Sequence, residues 1–249
     1  EQPKLTRRGF LAGTAATGAV AALALSGCGS KEASSSSSSA ADNSTPAESI
    51  FAACAYSSTN CNPIGNSSAL MLAATWHVFE GLYDLDLHNY TTYTALADGE
   101  PVQVSDTVYE VGLREGAKFS DGTDVTSADV VKSFEANMAD DTYGAFLSFI
   151  DSVTPKDDKT VTITLKYPFA SLLKGRLSVV KIFPAAATED QLKTMPVGTG
   201  PWMYDTINGD DGGTITFKPN PNYNGTLPAT CEQMDWNVLL DATSRTTAI

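Results

Sequence analysis

Basic residues are scarce. Lys and Arg number 16 against 29 Asp and Glu, so the 249-residue chain carries a formal net charge of −13. A nucleic-acid partner needs a basic face, and that class is excluded. Histidine is rarer still, with only His77 and His88. No metal cluster is visible, and His77 falls on an expected helix and reads as structural. No serine-nucleophile elbow, metal motif or phosphate-binding loop occurs; GTGP at Gly198–Pro201 lacks the following Lys and helix start of a P-loop. The chain is therefore not read as an enzyme, and neither a cofactor nor a metal is expected. Long, strongly apolar runs are absent too. The most hydrophobic stretch, near the front, is rich in Ala and Gly and falls short of the roughly 20 apolar residues of a spanning helix.

That stretch is an address. TRRGFLAGTAATGAVAALALSGC, Thr6–Cys28, sets Arg7 and Arg8 before Phe10 and Leu11, then an uncharged middle and small residues. The layout is that of a secretory signal, and the paired arginines resemble a twin-arginine export signal. Leu25-Ser26-Gly27-Cys28 has the form of a bacterial lipobox, with Cys28 as the lipidated first mature residue. The Ser-rich tract that follows to residue 47 cannot bury enough apolar area to offset its ordering entropy and reads as a disordered tether. Removing residues 1–27 takes away three cations and one anion, which moves the net charge from −13 to −15.

Three cysteines remain after Cys28, namely Cys54, Cys61 and Cys231. Their spacing matches no zinc pattern. Export favours disulfides, and three thiols allow one internal pair. Cys54 and Cys61 are candidates for a small loop. A long-range bond to Cys231 is preferred, because a longer closed loop constrains the unfolded chain more.

Periodicity then sorts the rest. Ser49–Tyr56 reads as a first buried strand, followed by a polar loop to Ser68. Ala69–Asp84 has helical spacing, with Leu72, Trp76, Phe79 and Tyr83 on one side and Gly81 marking a helix end. Thr107–Gly116, Thr160–Tyr167 and Gly212–Asn220 read as strands, Ser171–Val180 as a short helix, and MDWNVLL near Met234 as a buried strand. FSDGTDVTSADVVKSF, Phe119–Phe134, places Asp121, Asp124 and Asp129 within nine residues. The spacing is wrong for a calcium loop. Asp121-Gly122 is a turn signal. Thr126-Ser127-Ala128-Asp129 has the form of a capping box, ahead of a helix burying Val130, Val131, Phe134 and Met138.

The run Val108–Met138 resembles the peptide- and nickel-type extracellular solute-binding proteins of ABC importers. Leu113, Arg114, Gly116, Phe119, Asp121, Gly122, Thr126, Asp129, Val130 and Ser133 fit the family pattern, and Ser127 replaces its usual Ala. FEGLYDLD (79–86), PVGTGPWMYD (196–205) and FKPNPNYNG (217–225) resemble further family segments in the family's order, with Trp202 in a usual Tyr place. The resemblance implies an α/β, periplasmic-binding-protein-like fold of type II, peptide-binding subclass. Residues 48–249 would form a partial solute-binding domain: a core lobe from 48–67 and 180–240, with an inserted α+β subdomain at 68–179. The second lobe is expected beyond Ile249. It also implies capture of oligopeptides or dipeptides at the outer face of the bacterial membrane or in the periplasm, with ABC permease and ATPase subunits as partners. A lipoprotein peptide sensor or chaperone, or a binder of nickel or haem, is the alternative. Tyr56, Ser57, Ser58 and Thr59 after the first strand, and Trp202, are the expected ligand contacts.

Overall fold

Apolar patterns of period two and period 3.6 alternate irregularly along the chain, which favours a mixed architecture over a regular α/β winding. The computed structural model describes residues 48–58 and 60–248. The expected signal and tether, Cys28 and Thr59 lie outside these residues. The strands are β1 (Ser49–Cys54), β2 (Tyr83–Asp86), β3 (Thr91–Thr94), β4 (Val102–Ser105), β5 (Val108–Gly112), β6 (Ile150–Asp157), β7 (Thr160–Leu165), β8 (Trp202–Ile207), β9 (Thr214–Pro219) and β10 (Gln233–Val238). The helices are α1 (Ala69–Val78), α2 (Ser127–Ala139), α3 (Leu173–Leu177), α4 (Glu189–Thr194) and α5 (Ala242–Thr247). No helix among the described residues is long and apolar enough to cross a membrane.

One sheet has the order β1-β10-β9-β8 and brings the first described strand beside the last. β1 and β10 run parallel, with Ile50 opposite Met234 and Ala52 opposite Trp236. The alternation in β10 buries Met234, Trp236 and Val238 on one face, where Phe217, Tyr204 and α1 pack. β1, read from its composition as buried, is instead an exposed to half-buried edge strand. Apolar composition reports compatibility with a strand, while the strand's position in the sheet decides its exposure. The second sheet is β4-β5-β7-β6, all antiparallel. β7 buries Val161, Ile163 and Leu165 and turns its threonines outward, as the alternation predicts. Tyr167 lies past the strand end and is exposed.

α2 covers the second sheet with Val130 and Phe134, while Val131 and Met138 pack half-buried against the same core. Its start is fixed by the Asp129 carboxylate, which accepts from the Thr126 N–H at 2.8 Å and from its hydroxyl at 2.8 Å. The other Asp129 oxygen accepts from the Ala185 N–H at 2.7 Å, a tertiary tie that the capping pattern did not announce. Gly122 has φ +90° in the preceding turn, a conformation that glycine adopts without strain. The Asp121 side chain closes that turn by accepting from the Thr123 N–H and hydroxyl.

Cys54, Cys61 and Cys231 are free thiols. Burial pushes the Cys61 thiol up to about 11. Cys54 stands opposite Val238 in parallel register. Cys231 is therefore about seven residues, roughly 23 Å, back along that strand direction. A disulfide needs Cα atoms within about 7 Å, so the register forbids a Cys54–Cys231 bond. Cys61 and Cys231 share one apolar cluster.

Replacing Asp129 with Ala removes the helix cap and leaves the Ala185 N–H without its acceptor. The expected cost is about 1–3 kcal/mol. Urea denaturation checks it, and a change below about 0.5 kcal/mol would refute the tertiary tie.

Candidate functional site

The two hydrophobic clusters meet at a buried ion pair. α1 ends at Val78, and Phe79 leads the chain away so that Glu80 is buried. Arg114, just after β5, donates from both terminal nitrogens to the two Glu80 oxygens at 2.9 Å. The same guanidinium donates to the Ala95 carbonyl and, at 2.9 Å, to the Asn224 side chain. Such a bidentate fork uses the planar donor geometry that Arg has and Lys lacks. Burial raises the Glu80 pKa, and the Arg114 hydrogen bonds and charge oppose that rise.

The segments singled out in the sequence converge here. The Glu80 N–H reaches the Thr199 hydroxyl at 3.3 Å. Ser120 N–H donates to the Gly198 carbonyl, and Asn222 donates to the Ser120 carbonyl at 3.1 Å. Asn220 donates to the Gly200 carbonyl at 2.8 Å, and Asn224 to the Glu115 carbonyl at 2.9 Å. Gly198 and Gly200 lie against the end of α1, where a Cβ would sit 2.1 Å from the Val78 carbonyl and 2.5 Å from that of His77, respectively. GTGP is thus a close-packing device. Asp121 and Asp124 stay at the surface, with Asp124 paired to Lys118. The acidic stretch is a scaffold turn.

Beside this knot lies the larger concavity. α1 is apolar on every side. Leu70, Met71, Ala74 and Val78 face the β1 sheet, whereas Leu72 and Trp76 face outward. Of Leu72, Trp76, Phe79 and Tyr83, which the helical spacing sets on one side, only Phe79 and Tyr83 are buried. Leu72, Thr75 and Trp76 instead form one wall of a cleft of about 910 Å³. The β2–β3 hairpin supplies Leu85, Leu87, His88 and Tyr93, the α3 region supplies Val179 and Lys181, and Pro63, Tyr143 and Leu227 complete it. Lys181 is buried and paired with buried Asp84, which also accepts from the Gly81 N–H. A smaller cleft of about 330 Å³ shares Trp76, Asp84 and Tyr93 and reaches Glu80 and Arg114. Among the described residues, no three His, Cys, Asp or Glu side chains form a metal-holding group.

The expected contact residues lie elsewhere. Tyr56 is 59% exposed and Ser57 is exposed, both just past the carboxyl end of β1. Ser58 is half-buried, and its N–H donates to the Gly209 carbonyl. None of them lines either cleft. Trp202 is 7% exposed and packs in the core of the β1 sheet. His77 bonds its Nδ1 to the Ala73 carbonyl and stands edge-on to Trp236, a packing role. Sequence reasoning missed Trp76, Tyr93 and Tyr143. The available signal was a helix apolar all round beside a hairpin tip, LDLHNY, that exposes Leu87 and Tyr90.

The model of the bacterial extracellular solute-binding proteins, family 5 Middle, matches residues 91–249. The glutathione-binding protein GsiB of Pectobacterium atrosepticum is 28% identical over 198 residues, which cover 75% of this chain and 37% of that protein. The solved structure of MoaA from A. tumefaciens R10, in complex with mannopinic acid, superposes with a TM-score of 0.73 at 23% identity, covering 82% of this chain and 43% of that one. The oligopeptide-binding protein AppA of Bacillus subtilis, in complex with a nonapeptide, gives a TM-score of 0.70 at 20% identity, covering 82% and 42%. The fold is that of the peptide-binding class of type II periplasmic binding proteins. The chain spans little more than a third of the length of the curated relatives it matches.

Glu80 is more deeply buried than Arg114, with side chains 6% and 19% exposed. Arg114→Met strands the carboxylate and is expected to cost about 3–5 kcal/mol. Glu80→Gln leaves Arg114 its bonds to Ala95 and Asn224 and is expected to cost clearly less. The double variant should lose less than the sum of the two. Urea midpoints decide this, and equal costs for the two single variants would contradict the asymmetry.

Proposed function

The chain belongs to the bacterial extracellular solute-binding proteins of family 5, and on that premise we propose that it captures oligopeptides or dipeptides for an ABC importer. It acts as a binding component and not as an enzyme. The observation that supports peptide capture is the cleft of about 910 Å³. Its size falls within the roughly 300–1,000 Å³ of small-molecule sites. Its walls are largely apolar and aromatic, and the Asp84–Lys181 charges are already neutralised against each other. Such a wall accepts side chains of varied shape, while the ligand's backbone is left to hydrogen bonds and bridging water.

Tyr56 and Ser57, outside both clefts, are proposed as further ligand contacts. They follow the parallel strand β1 at its carboxyl end, where open α/β sheets take their ligands. The order of basic pair, apolar run, lipobox and Ser-rich tract supports export by the twin-arginine route and a lipid anchor on Cys28. That places the protein at the outer face of the cell membrane, beside its permease and ATPase partners. The core lobe at 48–67 and 180–240 and the insertion at 68–179 remain the proposed division, with α1 packed on the β1 sheet.

Protein from the complete reading frame, analysed by native mass spectrometry, is expected to carry a short peptide that exchanges with added dipeptides. A nickel or haem adduct, with no peptide bound in calorimetry, sinks the reading. In cell fractionation, Cys28→Ser is expected to release the protein from the membrane, and undiminished retention would remove the lipid anchor.

A further inference from the structure

Among the described residues the cleft has many apolar groups and no uncommitted cation. Trp76, Leu87 and Leu227 keep 46%, 49% and 56% of their surface exposed along it. Lys181 is the sole Lys or Arg among the described residues that line it, and Asp84 already holds it. Arg114, on the adjoining cleft, is committed to Glu80. The remaining formal charge on the wall is negative: Asp86 accepts hydrogen bonds from the His88 and Asn89 backbone N–H groups and from the Asn89 side chain.

We propose that this cleft selects its ligands by an apolar or aromatic side chain and rejects those that bring a side-chain carboxylate into it. The inference rests on the cleft being the solute site proposed above and adds the chemistry that it reads. A carboxylate moved from water onto this wall would lose hydration and gain no cation. It would also face the Asp86 charge. An apolar side chain displaces water from Trp76, Leu87 and Leu227 and gains by the area it covers. The phenol of Tyr93, which lines both clefts, reports the same field. Burial pushes it up to about 12, with Asp84, Tyr223, Glu80 and Asp86 all adding in that direction.

The test uses protein from the complete reading frame and isothermal calorimetry at pH 8, above the ordinary imidazole range. The probes are dipeptides of Ala with Phe, Leu, Lys or Glu, each residue in both positions. The better Phe and Leu peptides are expected to bind at least tenfold more tightly than either Glu peptide. Trp76→Ala should shrink that ratio. Leu87→Lys, a surface change on the hairpin, should raise the affinity of the Glu peptides several-fold without shifting the melting temperature. Glu peptides binding as tightly as Phe peptides, or a ratio untouched by Leu87→Lys, overturns this inference and leaves peptide capture standing. Failure of every dipeptide to bind overturns peptide capture and this inference with it.

Discussion

A buried carboxylate and a half-buried guanidinium at the meeting of two hydrophobic clusters set the terms for the rest of the molecule. Glu80 and Arg114 lose their hydration there, and only a close, fully bonded arrangement offsets that loss. The pair is met by two parallel hydrogen bonds, with the Ala95 carbonyl and the Asn224 side chain taking further guanidinium donors. To supply those partners, the end of α1, the end of β3, the turn after β5 and the loop after β9 must all arrive at one point. The neighbouring Ser120, Thr199, Asn220 and Asn222 bonds lock the same segments. Sequence separations above 100 residues are closed at this knot.

Fixing the knot fixes the cleft. Once Glu80 is anchored, α1 must lie with one apolar face on the β1 sheet and the other turned outward. The β2–β3 hairpin, leaving from the same place, stands opposite that outward face. The second buried pair, Asp84–Lys181, neutralises the charges between them. The result is an apolar concavity held by rigid elements, with its ion pairs spent on architecture.

Local structure was largely legible in the sequence. The alternation in β7 and β10, the Asp121-Gly122 turn and the Thr126–Asp129 cap each depend on neighbours a few residues apart, and each formed where its pattern stood. The family segments were legible as well, though their meaning was not. They read as a signature and proved to be the partners of one buried ion pair. The readings that failed depended on position in space. β1 has a buried strand's composition and an edge strand's exposure. Leu72 and Trp76 have core chemistry and line a cleft. Trp202, a candidate contact, is core. The Cys54–Cys231 pairing that chain entropy allowed is forbidden by parallel register.

The sequence by itself therefore determined the elements, their caps and the family, because those rest on short-range stereochemistry and on motifs read in order. Tertiary structure alone decided which apolar side chains are core and which are left to line a cleft. A leucine or a tryptophan has the same affinity for any surface that excludes water. Only the packing of α1 between a sheet and a hairpin, fixed by the Glu80–Arg114 pair, determines which of its faces finds that surface within the chain.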